Sequence, residues 1–179
     1  MSIFTNNNVV NITIGSNVAY VNGSMSFAFE NCKMFNSYVP IPNGVTNMYR
    51  TFCMCNSFNQ SVTIPNTVTN CASIFESCKT LNQPVIIKNG VNSTFGMFVY
   101  CSNFNCPIEI PNSVTRVDYM FDQCTNFNQP ITIPENVTYV NYMFRYAYNM
   151  SSNITILSKK VNSTYAMLGG RNTSKIINI

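Results

Sequence analysis

The sequence predicts a repeat solenoid similar to a leucine-rich repeat protein, with short parallel β-strands on one wall and short helical or 3₁₀ turns on the other. Three observations support this fold class. Phenylalanine recurs with a constant period of twenty-three, a cysteine follows the first five of these by three residues, and an alternating apolar segment comes next. A unit of this size is too small to bury its own apolar face, so stacked units must bury one another.

The repeat holds over six units without slippage. The phenylalanines of one column are Phe29, Phe52, Phe75, Phe98, Phe121 and Phe144, and the cysteines are Cys32, Cys55, Cys78, Cys101 and Cys124. Each apolar segment alternates with period two, as in Val62-Thr63-Ile64, which is typical of a strand with one buried face. A proline follows several of these segments and should end the strand, because it has no N–H to donate.

We divide the chain at the edges of the repeat. Residues 1–24 are predicted to form an N-terminal cap with a degenerate first strand at 12–14. Residues 25–157 hold about six repeats. Residues 158–179 are predicted to form a C-terminal cap with a last strand at 177–179. The irregular ends are typical of repeat proteins, whose terminal units face solvent.

The unit at residues 120–138 reads Met-Phe-Asp-Gln-Cys-Thr-Asn-Phe-Asn-Gln-Pro-Ile-Thr-Ile-Pro-Glu-Asn-Val-Thr. It resembles the BspA-like leucine-rich repeats, a bacterial class with the same period, a Phe-x-x-Cys turn and an Ile-x-Ile-Pro strand. The resemblance covers residues 25–168. It implies a solenoid fold and a role as a binding module or adhesin at a cell surface.

Composition excludes several functions. Only 9% of the residues are charged and histidine is absent, whereas about 25% is usual for the charged fraction. Without histidine there is no histidine base and no Ser-His or Cys-His pair. We therefore expect no enzyme, no catalytic residue, no metal and no cofactor. A net charge of +4 without a dense basic stripe argues against nucleic-acid binding, and no apolar run is long enough for membrane insertion.

Two columns of the repeat have structural interpretations. The cysteines are expected to be small buried side chains, with disulfides or a metal site as the alternatives. Asparagine is unusually abundant, and the column that follows the second aromatic position is expected to hold buried amides. These amides would satisfy backbone groups of the neighbouring unit.

Three sets of residues are candidates for partner contact. Tyrosines concentrate late in the chain, where two pairs share repeat positions; the candidates are Tyr100, Tyr119, Tyr142, Tyr146 and Tyr148. The outward row of the strands is Thr63, Ile86, Glu109, Thr132 and Thr155. A basic C-terminal cap contains Lys159, Lys160, Arg171 and Lys175. Tyrosine is enriched at interfaces, but partial core packing, ordinary β-propensity and a solvated cap explain the three sets without any partner.

The functional prediction is a non-enzymatic interaction or structural module. We expect a structural, decoration or host-attachment protein of a virion, in particular of a bacteriophage, because the N-terminus lacks the features of a classical signal peptide. Its partners would be capsid or tail proteins, and it could form homo-oligomers. The alternative is an unconventionally exported adhesin at the cell surface that binds a host protein or glycan.

Overall fold

The computed structural model describes residues 23–161, 164–169 and 176–178. For Tyr165 and residues 176–178 it describes the backbone alone. The predicted strand at 12–14, Arg171 and Lys175 lie outside these residues. The predicted division into caps and repeats stays a prediction.

Successive coils of the repeat stack in parallel. A continuous column of parallel bridges joins equivalent residues of neighbouring coils; it runs Ser24, Asn47, Asn70, Ser93, Arg116 and Tyr139. The named strands are β1 (Val62–Ile64), β2 (Val85–Ile87), β3 (Ile131–Ile133), β4 (Ile154–Ile156) and β5 (Ile176–Asn178). One short helix, α1 (Thr164–Met167), precedes β5. The predicted short parallel strands are confirmed.

The strands form two sheets, β1-β2 and β3-β4-β5, in the described part of the chain. Where a non-proline residue follows the strand, its N–H extends the ladder to the preceding coil. Lys88 N donates to Ile64 O at 3.1 Å, and Leu157 N donates to Ile133 O at 3.0 Å.

Proline interrupts the ladder at the remaining rungs. Pro111 occupies the position equivalent to Lys88 one coil later and cannot donate to Ile87 O. In the same way, Pro65 cannot donate to the carbonyl of Ile41 in segment 39–41. Pro134 cannot donate to the carbonyl of Ile110 in segment 108–110. The period-two pattern also predicts strands at 39–41 and 108–110, and this prediction is wrong for that reason.

The last strand is also shifted from its predicted position. Ile154 pairs with Ile176, and Ile156 pairs with Asn178. The strand therefore begins at 176 and not at 177, because the cap does not keep the spacing of the repeats.

In the six repeats the opposite wall consists of β-turns, so the predicted helical or 3₁₀ turns are wrong there. After the sixth repeat, α1 continues this wall, since Tyr142 N donates to Ala166 O and Phe144 N donates to Met167 O. We call this wall, residues 25–32 and their equivalents in later coils, the turn wall. In each of its coils two residues have positive φ, such as Tyr119 at 57° and Gln123 at 60°. Each is the third residue of a turn closed by a bond such as Met120 N to Val117 O at 3.1 Å, as in type II turns.

Alternate N–H groups of the turn wall bond to the next coil. Phe98 N donates to Met120 O at 2.9 Å, and Tyr100 N donates to Asp122 O at 3.0 Å. A helix would have used these groups within its own coil. The left-handed residues, which cost roughly 1–2 kcal/mol each when they are not glycine, thus leave alternate N–H groups available to bond the coils together.

The core lies between the two walls and is built from aromatic columns. Rings of neighbouring coils stack face to face, with centroids 5.5 Å apart for Phe98 and Phe121. Within a coil, Phe121 stacks on Phe127 at 4.1 Å. These residues have no exposed surface.

The cysteine column is buried and no disulfide joins any of the eight cysteines, which confirms the interpretation as buried side chains. Their thiols also donate to carbonyls of the preceding coil; Cys78 Sγ lies 3.0 Å from Phe52 O, and Cys124 Sγ lies 2.8 Å from Phe98 O. Burial raises the pKa of these thiols. A thiol that is both buried and protonated is a poor nucleophile and metal ligand.

The asparagine column bonds to the next coil as predicted. Asn59 Oδ1 accepts from Asn82 N at 2.9 Å, and Asn105 Oδ1 accepts from Asn128 N at 2.9 Å. The predicted burial is wrong, because Asn82 and Asn105 are exposed. The amide oxygen faces the neighbouring coil, while the side chain lies at the corner of the molecule where water reaches it.

Candidate binding surface

The outer side of the turn wall carries an aromatic and basic cluster in its C-terminal half. We call this cluster the Tyr–Arg surface. Its members are Phe95, Arg116, Tyr119, Tyr139, Tyr142, Arg145, Tyr146 and Tyr148. They come from the fourth, fifth and sixth coils, so only the stacking of coils brings them together.

Arg145 lies at the centre of this surface. Its guanidinium carbon lies 5.4 Å, 5.2 Å and 5.4 Å from the ring centroids of Tyr119, Tyr142 and Tyr146. The same guanidinium makes a bidentate pair with Asp122, with Nε at 3.0 Å from Oδ1 and Nη2 at 2.7 Å from Oδ2. The hydrogen bond to the Asp122 carboxylate raises the pKa of Arg145 above its usual range. Both contacts fix the position of this cation.

Arg116 occupies a similar setting one coil earlier. Its guanidinium lies 4.6 Å from the ring centroid of Phe95 and 5.7 Å from that of Tyr139. Nε donates to Asp118 Oδ2 at 2.7 Å. The Arg116 side chain is 49% exposed and that of Asp118 only 3%, so the cation faces solvent and the carboxylate lies beneath it. Asn141 completes the site by donating to Asp118 Oδ1 at 3.0 Å from N and 2.8 Å from Nδ2.

Ring contacts join the two arginine sites into one network. Phe95 contacts Tyr119 edge to face at 5.5 Å, and Tyr119 stacks on Tyr142 at 5.4 Å. Tyr146 extends the network to Tyr148 at 6.1 Å. Because Tyr119, Tyr142 and Tyr146 occupy the positive-φ positions of the turn wall, the repeated backbone sets their direction. The surface is therefore ordered before any partner arrives, which reduces the entropy cost of binding.

This arrangement suits contact with another protein. Tyrosine and arginine are enriched among residues that dominate interface energies. The ring faces of Tyr119 and Tyr142 are directed at each other and at Arg145.

The chain matches the family described as "Mycoplasma protein of unknown function, DUF285" in three overlapping segments, residues 1–92, 23–110 and 87–177. These segments span nearly the whole sequence. The chain belongs to the DUF285 family. No functionally curated protein has a matching sequence.

A solved structure is also similar to this DUF285 protein. It is the crystal structure of a leucine-rich repeat protein from Bacteroides ovatus, which shares 21% sequence identity with a TM-score of 0.46. The match covers 85% of this chain and 51% of the other, so the DUF285 chain spans about half the length of that protein.

The structure places the predicted contact residues on three separate regions of the DUF285 protein. Four of the five tyrosines belong to the Tyr–Arg surface, whereas Tyr100 is exposed on the same wall two coils before its repeat equivalent Tyr146. The strand row lies on the other wall, with Thr155 half-buried and the remaining members exposed: Thr63, Ile86, Glu109 and Thr132. Lys159 and Lys160 are exposed at the corner after β4.

Sequence reasoning did not name four members of this surface as contact candidates, which are Phe95, Arg116, Tyr139 and Arg145. Arg116 and Tyr139 share one repeat position, at the end of the fourth and fifth units. That shared position is the sequence feature from which Arg116 and Tyr139 could have been predicted to lie side by side. Phe95 contacts Tyr119 from a different repeat position, and the ring contact became visible only when the coils were stacked.

The N-terminal half of the turn wall has a different character. There Arg50 joins two acids from neighbouring coils, with Nε 2.7 Å from Glu30 and Nη1 3.2 Å from Glu76. On the outer side of this half, the described residues form one edge-on aromatic pair, Phe27 and Tyr49 at 5.2 Å. The described residues hold no cluster of three metal-ligating side chains, and none of their helices is long and apolar enough to span a bilayer.

Proposed function

We propose that this protein is a non-catalytic module that docks another protein through the Tyr–Arg surface. The observation that carries the proposal is the preorganised network around Arg145, in which three tyrosines and a buried carboxylate fix one partly exposed cation. Tyrosines whose hydroxyls and ring edges are already fixed can contribute contact area without much further ordering. The membership in a repeat family supports the same type of function, because stacked repeats present extended binding surfaces.

The setting of this docking is a second part of the proposal. The DUF285 match gives no support to a virion, so we carry forward display at the cell surface, the alternative derived from the BspA-like resemblance. A rigid repeat module with few charges fits either a virion or a cell surface. Measuring where the protein is located in cells that make it distinguishes the two.

The test begins with site-specific photo-crosslinking in the cells that make the protein. A benzophenone amino acid at position 142 should trap a partner, and the same group at position 63 on the strand row should not. The trapped protein is then purified. Its affinity for the wild type and for variants is measured by calorimetry.

We expect Tyr142→Ser with Tyr146→Ser to weaken this binding at least tenfold, since central tyrosines often dominate interfaces. Tyr38→Ser is the matched control, because Tyr38 is exposed at a corner far along the coil from the turn wall. Unchanged affinity in the double variant, with loss in Ile86→Arg or Thr132→Arg, would move the docking site to the strand row and overturn the proposal.

A further inference from the structure

A cavity lies where the corner after β4 meets the preceding coil. It has a volume of about 300 Å³ and is lined by Glu135, Asn136, Leu157, Lys159 and Lys160. Both lysines are exposed, and neither forms an ion pair with any acidic group in the described part of the chain. The cavity therefore has two uncompensated ammonium groups at its edge and one carboxylate, Glu135, in its wall.

The local backbone fixes this corner in place. The Ser158 side chain is buried, and its hydroxyl donates to Val137 O and accepts from Lys160 N at 3.2 Å. These bonds tie the lysine turn to the coil below. A buried hydroxyl thus fixes the backbone of the turn that carries the two lysines.

The cavity is close to the Tyr–Arg surface along the chain. Asn136, which lines the cavity, precedes Tyr139 by three residues, a distance of at most about 11 Å. Tyr139 in turn lies against Arg116. An extended partner segment can therefore reach from Tyr139 to the cavity.

Charge complementarity identifies the kind of partner. The exposed charges of this region are mainly basic, since Asp118 and Asp122 are buried beneath Arg116 and Arg145. Their carboxylates neutralise the arginines from below and leave outward N–H groups. The two lysines supply the excess positive charge, against Glu135 alone. Opposite potentials on two surfaces increase both specificity and the rate of encounter.

Building on the proposed function, we propose that the cavity is a carboxylate-binding site and that the docking segment of the partner is acidic. An Asp or Glu side chain of the partner enters between Lys159 and Lys160. Aromatic or apolar side chains of the same segment pack against Tyr139 and Tyr142. The ligand is thus an acidic polypeptide segment.

The experiment uses random dodecapeptides displayed on a carrier and selected on the full chain at low salt. We expect the selected peptides to be enriched in Asp and Glu. Synthetic copies should bind at least tenfold more weakly to Lys159→Gln with Lys160→Gln, and to the wild type at high salt. Lys33→Gln with Lys79→Gln is the control, because it removes the same charge from exposed positions on other coils.

Each outcome separates the two proposals. Peptides that depend on Tyr142 and Tyr146 but show no acidic enrichment, or no loss in the lysine variant, would overturn the carboxylate site and leave the docking surface standing. A selection with no peptide that depends on the tyrosines would count against the docking surface itself. Equal loss in the control variant, or tighter lysine-dependent binding of a heparin oligosaccharide, would also overturn the acidic-peptide proposal.

Discussion

At the residue scale, stability depends on columns in which one side chain recurs in every coil. The phenylalanine columns fill the core, and the cysteine and asparagine columns bond each coil to its neighbour. Both kinds of bond satisfy backbone groups that a strand or helix would otherwise satisfy. A single substitution in a column therefore affects the contacts of two interfaces, with the coil before and the coil after.

Phe121→Ala should be strongly destabilising. The ring is fully buried and stacks on Phe98, Phe127 and Phe144. We expect a loss of roughly 3–5 kcal/mol in the free energy of unfolding, as for other buried phenylalanines. Urea denaturation measures it. Tyr148→Ala, at a side chain that is 66% exposed, should change stability little; a similar loss in both variants would contradict the core position of Phe121.

The buried thiols should make the protein sensitive to alkali. Burial raises the pKa of Cys53 and of Cys71 to about 12, whereas a thiol in the unfolded chain has a pKa of about 8.5. Between these values the unfolded chain binds fewer protons, so stability falls as the pH rises. Removal of one such group in Cys71→Ser should reduce the slope by about 1.4 kcal/mol per pH unit.

Urea denaturation at several pH values from 8 to 11 gives this slope. Cys106→Ser is the matched control, because Cys106 is only partly buried and should change the slope less. An identical pH dependence in wild type and Cys71→Ser would show that this thiol is open to solvent when folded. A reductant should leave the wild-type stability unchanged, since no disulfide joins any of the eight cysteines.

At the element scale, the two walls join neighbouring coils through different sets of backbone hydrogen bonds. Two coils form a ladder on the strand wall only where no proline follows the strand of the later coil, and the sheet is split between β2 and β3. The turn wall bonds every described coil to the next through alternate N–H groups. The turn wall is thus the continuous wall of the molecule, and this continuity suits it to carry an ordered surface.

Pro111→Ala should extend the ladder from β2 to segment 108–110. The new N–H at position 111 can reach Ile87 O, as Lys88 N reaches Ile64 O. The gain of about 1 kcal/mol for one hydrogen bond is offset by the more flexible unfolded chain, about 0.4–1 kcal/mol. We therefore expect little change in stability and slow hydrogen exchange at the position 111 amide.

Lys88→Pro is the reciprocal variant, because it removes the donor that closes the β1-β2 ladder. It should speed hydrogen exchange of the β1 and β2 amides. Fast exchange at position 111 in Pro111→Ala would show that something other than the missing donor separates the sheets.

At the scale of the whole molecule, the protein is asymmetric along its axis. The early coils carry the Glu30–Arg50–Glu76 bridge, and the late coils carry the Tyr–Arg surface and the lysine corner. Six nearly equal coils therefore present one specialised end. In the proposed function, the partner docks at the C-terminal coils.

Surface display is the prediction at this scale. Brief protease treatment of intact cells should degrade the protein, while a cytoplasmic marker survives. The reason is that the proposed partner is met outside the cell. Protection in intact cells, together with co-sedimentation of the protein with virus particles, would instead favour the virion.

The sequence by itself determined the repeat, its columns and the short strands. A constant period with fixed phenylalanine and cysteine positions leaves stacking as the way to bury the apolar face. It also named four tyrosines of the Tyr–Arg surface and both described lysines as contact candidates, and their role stays a prediction. These are local regularities, and they can be counted along the chain.

Tertiary structure decided what depends on neighbouring coils. The turn wall became β-turns and not helix, because alternate N–H groups bond between coils. The sheet split at Pro111, and the asparagine amides came to lie at the exposed corner. Phe95, Arg116 and Tyr139 joined Arg145 and its tyrosines because contacts between different repeat positions arise only after stacking. The sequence shows which residues share a column, and only the packed coils show which columns touch.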